Sequence, residues 1–265
     1  MGEAYGAITI VCGLPLSRGI ALGVDLKVEA EVELTEDDSE EMTSWVRGHR
    51  VRMGGELLRA LRKILKLFEF EGGLKVRITS EIPPERGLKS SSAVSNALIL
   101  AAMEALGEKL EPLEILRLSV KLSRMAGITL TGALDDACAS LLGGLCAADS
   151  KEMRIIARRR VPEFSVGILV PERRVPTSSL RSIDFSPYAG LFEEIFRKAL
   201  EEDWIQAMTE NGKAMCNILG YSQRPITEAL RSGALGAGLS GKGPAFAAIF
   251  EGEASWGNMV TRVRS

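Results

Sequence analysis

Residues 20–35 alternate without a break: Leu22, Val24, Leu26, Val28, Ala30, Val32 and Leu34 share one parity, and Ala21, Gly23, Asp25, Lys27, Glu29, Glu31 and Glu33 the other. A period of two sustained that long is a half-buried strand or hairpin of an antiparallel sheet, with one face on a core and the other in water. Such a strand needs neighbours and a cover, and the flanking sequence supplies both. Residues 4–14 read as a strand, 36–41 as an acidic turn, and 55–69 place Leu57, Leu58, Leu61, Ile64, Leu65 and Phe68 at helical spacing. That is the apolar stripe of a helix packed on a sheet. Gly72-Gly73 ends it, and 74–82 returns as a strand.

This strand runs into Pro83, Pro84, Glu85, Arg86, Gly87, Leu88, Lys89, Ser90, Ser91, Ser92 and Ala93, and then into the unbroken apolar helix pattern of 94–102. A turn rich in donors thus sits on a helix N-terminus. A helix start offers about four unpaired N–H groups and roughly half a positive charge. Gly87 adds backbone freedom, and three hydroxyls and Lys89 add donors, which together suit a phosphate. The competing reading is that the serines only cap a core helix, for which one would suffice.

Helices are predicted near 112–125, with Pro112 at the start, and 134–142, ending in Gly143-Gly144; strands follow at 145–148 and 153–161. After Pro162 the pattern restarts: a strand at 165–170, a proline-bearing loop at 171–188, helices near 189–202, 204–219 and 225–233, a strand at 245–250 and a short tail. Strands then helices in each half, without strict β-α-β alternation, predict an α+β fold of two lobes, 1–161 and 162–265.

Composition narrows the chemistry. Over 265 residues the formal net charge is −2, with no basic stripe, which argues against a nucleic-acid partner. No run of 18 apolar residues suggests a membrane span, and a cytoplasmic setting is expected. Cys12, Cys138, Cys146 and Cys216 lie far apart without a C-x-x-C pair, so neither a zinc site nor a disulfide framework is expected, only buried or idle thiols. With His49 the sole histidine, set among arginines, catalysis falls to carboxylates, lysines, hydroxyls, backbone donors or a metal ion.

Gly236 to Gly241 fits G-x-G-x-x-G, and Gly236 to Lys242 fits a Walker A loop up to the final hydroxyl, where Gly243 stands instead. The context is wrong for both, because a helix is predicted before the motif and a strand after it; the alternative is a flexible glycine turn. Asp135 and Asp136 lie in Thr131-Gly-Ala-Leu-Asp-Asp-Ala-Cys-Ala-Ser140, at the head of an otherwise apolar helix. Burying an ionised group without a partner is costly. One aspartate is expected to cap the helix and the other to project into a cleft, to accept a hydroxyl proton or hold a cation.

Together these segments resemble motifs of the galacto-, homoserine, mevalonate and phosphomevalonate (GHMP) kinase superfamily: Pro83 to Ala93 its second, and Gly238-Leu-Ser-Gly-Lys-Gly-Pro-Ala245 its third. The similarity covers essentially the whole chain. Within the superfamily, the 131–140 segment and the opening Gly6 to Ile10 followed by Gly19 to Asp25 are most similar to the archaeal type of shikimate kinase. The resemblance implies a two-lobed fold of antiparallel or mixed sheets packed against helices, and ATP and Mg²⁺ as cofactors. It implies phosphorylation of the shikimate 3-hydroxyl, a step toward chorismate and the aromatic amino acids. It places the nucleotide loop on 83–93, Ser91 on the metal, Asp136 as the catalytic aspartate with Asp135 before it, and Gly241, Lys242 and Gly243 over the phosphates or behind the loop. Mevalonate kinases begin Ala-Pro-Gly-Lys where this chain has Ala4-Tyr5-Gly6-Ala7, so their assisting lysine is absent and Lys89 is left to supply that charge. The acceptor's carboxylate calls for a cation, with Arg18, Arg173, Arg174 and Arg181 as candidates and the Pro176 to Arg181 loop as a lid or contact. Two alternatives stay open: another small alcohol such as homoserine or mevalonate, or a non-catalytic anion-binding module.

Overall fold

The computed structural model describes residues 1–129, 132–172, 183–201 and 203–265. Its fold is α+β, with two sheets packed against helices. The first sheet comprises β1 (Gly2–Val11), β2 (Arg18–Thr35), β3 (Glu40–Val46), β4 (His49–Val51), β5 (Gly73–Ser80), β6 (Leu145–Asp149) and β7 (Arg154–Arg159) in the order β4-β3-β5-β2-β6-β7, with β1 also paired to β2. The second runs β11 (Met259–Arg262), β8 (Ser165–Leu169), β10 (Phe246–Phe250) and β9 (Gly236–Leu239), antiparallel throughout.

The alternating run is the long central strand β2, which pairs with β1, β5 and β6. Its alternation shows as one-sided burial only from Asp25 onward; Gly19 to Val24 are buried on both faces. Two helices explain the difference. Helix α2 (Ser90–Leu106) and helix α4 (Leu134–Leu142) both pack on β1 and β2, and a small-residue cluster of Ala7, Ala21, Ala137, Cys138 and Cys146 fills the α4 contact. Enclosed by sheet and helices, α2 buries residues all round from Ala93 to Met103, which is why its sequence is apolar without a stripe. Helices α1 (Gly55–Leu65) and α3 (Pro112–Met125) pack against α2 and each other, and Pro112 starts α3 under a capping box of Glu111 and Glu114.

Helices α6 (Trp204–Leu219) and α7 (Arg224–Arg231) pack on the second sheet, α6 lies against both β9 and β1, and α5 (Ala189–Leu200) packs on α6 and on β1 and β2 of the first sheet. The chain end returns to the first sheet, where Val263 bridges Val24 and the Arg264 N–H donates to the Gly23 carbonyl at 3.0 Å.

Several expectations are corrected. The acidic turn gives way at Glu40 to β3, which pairs in parallel with β5. The glycine run is half strand, since Gly236 to Leu239 form β9 and the turn occupies the following residues. No helix follows it, so the Walker reading stays excluded. The tail contains β11. Helix α2 begins at Ser90, four residues earlier than predicted, so the serines are helical residues rather than a preceding turn. Among the described residues no helix is long and apolar enough to cross a membrane.

Candidate active site

The loop from Ser80 to Ser90 turns a strand end into a helix start by using backbone conformations that side chains resist. Glu85, Gly87 and Lys89 have φ of 59°, 86° and 62°. Alternation with such left-handed residues aims successive N–H groups to one side, and strain of this kind collects where function requires it. Lys89 occupies the N-cap position of α2 without a capping side-chain bond, so Ser90, Ser91 and Ser92 stand in the first turn and none of them caps it. At Gly87 only glycine fits: a Cβ there would lie 2.1 Å from the Ser240 carbonyl oxygen.

That close approach is part of a seam between the loop and the turn leading from β9 to β10. The Ser240 hydroxyl donates to the Gly87 carbonyl at 2.8 Å and accepts from the Thr9 N–H at 3.3 Å. The Gly241 N–H donates to Thr9 Oγ1 at 2.8 Å, and the Ala245 N–H to the Arg86 carbonyl at 3.1 Å.

Beside the seam lies a cavity of about 840 Å³, a volume typical of small-molecule sites. Pro84, Glu85, Arg86, Gly87, Leu88, Lys89, Ser90 and Ser91 line it, together with Asp135, Asp136, Gly241 and Lys242. Met53, Leu57 and Val94 add an apolar wall, and Thr9, Cys12 and Ser17 come from β1 and the turn after it. Four expected residues lie off this cavity. Pro83 and Gly243 do not line it, Ala93 is wholly buried, and Ser92 faces a separate small recess with Ser119 and Ser123.

Helix α4 delivers the two aspartates. Neither caps it: the N-cap is Ala133, and the Leu134 N–H donates to Ser150 Oγ at 2.9 Å instead. Asp136 Oδ1 pairs with Lys89 Nζ at 3.1 Å, the two side chains being 15 % and 11 % exposed. Burial opposes the charge on Lys89, yet Asp136 and Asp135 outweigh it and hold the ammonium above its usual pKa. Asp135 is nearly inaccessible and its Oδ1 has no partner. Burial, then the adjacent Asp136, pushes its carboxyl well above the usual carboxylate range. Its Oδ2 takes up the space beside Gly19, where a Cβ would come within 2.3 Å. One lysine between two neighbouring carboxyls thus leaves Asp136 paired and Asp135 favouring its neutral form. Burial lowers Lys242 to a pKa of about 8.

Among the described residues no group of three or more His, Cys, Asp or Glu side chains could cage a metal ion. The hydroxyl of Ser91 and the carboxylate of Asp136, both lining the cavity, instead fit a hard cation that arrives on phosphate and takes few protein ligands.

Sequence reasoning missed Thr9 and Ser240. Ser240 stood inside the glycine motif as the one hydroxyl among small residues, a signal left unused. Arg18 is turned away, paired with Glu193 and lying over the Phe196 ring at 5.3 Å. Arg124 and Lys151, passed over in the sequence, do line the cavity. Thr131, Arg173, Arg174, Arg181 and the Pro176 to Arg181 loop lie outside the described residues.

The family model for the GHMP kinases N terminal domain matches residues 56–144. A shikimate kinase of Pyrococcus abyssi is 41% identical over 254 residues, covering 94% of this chain and 90% of its own. One from Methanothrix thermoacetophila is 39% identical over 248 residues, covering 94% and 84%. Among solved structures, the Methanococcus jannaschii mevalonate kinase superposes with a TM-score of 0.74 at 16% identity, covering 99% of this chain and 97% of that one. A homoserine kinase from Cytophaga hutchinsonii gives 0.71 at 20%, covering 94% and 84%. At those identities the structural likeness speaks of the fold alone.

Proposed function

The chain belongs to the shikimate kinases of the GHMP kinase family, and we propose that it transfers the γ-phosphoryl group of ATP to the 3-hydroxyl of shikimate, giving shikimate 3-phosphate. The acceptor follows from relatives near 40% identity over most of the chain. The chemistry rests on one observation, the Lys89–Asp136 pair set in a cavity whose wall is a helix N-terminus.

The triphosphate lies along 84–91, where the first-turn N–H groups of α2 and the hydroxyls of Ser90 and Ser91 receive its charge. Gly241 and Lys242 face it from the β9–β10 turn, and the seam through Ser240 holds the two sides in register. In this reading 1–161 supplies the loop and the aspartates, and 162–265 supplies the turn. Mg²⁺, when bound, neutralises phosphate charge, with Ser91 as its protein ligand. Asp136 orients the acceptor hydroxyl and takes its proton late in an in-line transfer. Lys89 pairs with Asp136 and holds it in place, the task of the lysine this chain lacks at its start. Asp135, its carboxyl held well above the usual carboxylate range by burial and by Asp136, adjoins it on α4. Arg124 and Lys151 are the cavity cations that can face the acceptor's carboxylate.

ADP release measured with shikimate, homoserine and mevalonate under identical conditions tests the reading. Shikimate alone is expected to drive turnover. Preference for another alcohol would replace the acceptor, and nucleotide binding without turnover would make the chain an anion-binding module. Asp136→Asn is expected to lower kcat by about 100-fold or more while ATP affinity stays within a few fold.

A further inference from the structure

Two of the four cysteines meet. Cys138 on α4 and Cys146 on β6 stand 2.8 Å apart, sulfur to sulfur, and both are wholly buried. Cys12 lies on the cavity wall and Cys216 on α6, beside the Ser222 carbonyl. The meeting is built by the turn between the two elements. Gly143 and Gly144, with φ of 69° and 73°, reverse the chain so that β6 lies against α4. The surrounding cluster is mostly small, with Ala7, Ala21, Ala137 and Ala148 leaving the two sulfurs to fill the gap between helix and strand.

An S–S bond is about 2.05 Å long, so closing the gap needs a shift of under about 1 Å within a pocket that already holds both atoms. We propose that Cys138 and Cys146 form a reversible disulfide that fastens the helix carrying Asp135 and Asp136 to strand β6. The oxidant is a low-molecular-weight disulfide. One cysteine thiolate attacks it, releases one small thiol and forms a mixed disulfide; the other displaces the second small thiol. Two cysteine protons are lost to solvent, and two electrons pass from the cysteine sulfurs to the oxidant, which leaves as two thiolates that take up protons. The hydrogen bond from Cys138 and burial hold the Cys146 thiol far above its usual range, so little thiolate exists in the closed fold. The bond therefore forms as the chain folds or when α4 locally opens.

The test is to refold the full chain with either glutathione disulfide or a reducing dithiol, then count thiols in denaturant. Of four cysteines, two are expected to react after oxidation and four after reduction, with the intact mass differing by two hydrogens and a peptide map joining Cys138 to Cys146. The oxidised form is expected to melt about 5 °C or more above the reduced form. Cys138→Ala and Cys146→Ala should each keep three reactive thiols in both buffers; the wild-type count stands even if a variant fails to fold. Four reactive thiols after oxidation, a bridge to Cys12 or Cys216, or equal melting temperatures with the bridge present would each overturn the proposal.

Discussion

Replacing Lys89 by methionine isolates the charge at the centre of the site. The side chain keeps its length, and methionine resists the φ of 62° as lysine does, so backbone strain is common to both chains and cancels. What remains is Asp136, mostly buried and without its ammonium 3.1 Å away. Removing one member of a buried pair costs about 3–5 kcal/mol when the other stays charged. Asp136 has an escape, which is to bind a proton. For an aspartate in water, which releases its proton near pH ~3.9, that costs about 4 kcal/mol at pH 7 and about 1.5 kcal/mol at pH 5, at about 1.36 kcal/mol per pH unit. The destabilisation should therefore be about 3–4 kcal/mol at pH 7 and no more than about 1.5 kcal/mol at pH 5. The sign follows from linkage: in the variant the folded state holds a proton that the unfolded state has released, so stability rises as pH falls. Wild-type Lys89 contributes nothing to this window, since its raised pKa matters only above the usual lysine range. Asp135, raised in both chains, also favours the folded state as pH falls and cancels to first order. Urea unfolding of both chains at pH 5, 6 and 7 measures the difference. A loss independent of pH, or a Lys89→Met, Asp136→Asn double variant as unstable as Lys89→Met alone, would refute the reasoning.

Asp135→Asn should keep stability at pH 7 within about 1 kcal/mol of wild type, because the amide imitates a protonated carboxyl; a larger loss in urea unfolding would mean Asp135 is ionised. Gly87→Ala should lower stability by at least about 2 kcal/mol, through the left-handed backbone and the contact 2.1 Å from the Ser240 carbonyl, and should raise KM for ATP. Lys242 is charged below a pKa of about 8, so KM for ATP should climb as pH passes that value, and Lys242→Met should remove the climb. An unchanged pH profile in that variant would take Lys242 out of nucleotide binding.

Much of this molecule was legible in its sequence because its signals are local. The alternation of β2, the stripe of α1 and the proline-led start of α3 each lie within one element. The loop of 83–93 could be read as a donor-rich helix start for the same reason, although its serines misled on the boundary: a residue type favoured at caps was here placed inside the first turn. Strand β3 was missed because Glu40-Glu-Met-Thr-Ser-Trp-Val46 carries little alternation and is held by a parallel partner reached only after α1. The contact of Ser240 with Thr9 joins residues 231 apart, a distance no spacing rule spans. Lys89 could be named as a replacement cation, whereas its pairing with Asp136 needed the fold. Arg18 shows the reverse case, a cation chosen by type whose partner on α5 draws it elsewhere.

The seam between the glycine turn and the nucleotide loop has a mechanical consequence. Thr9, Arg86, Gly87, Ser240, Gly241 and Ala245 are stitched by hydrogen bonds that run from one sheet to the other, so these two walls cannot part without breaking several at once. They form a fixed anvil. Any movement that widens the cavity for a nucleotide therefore falls to its other walls.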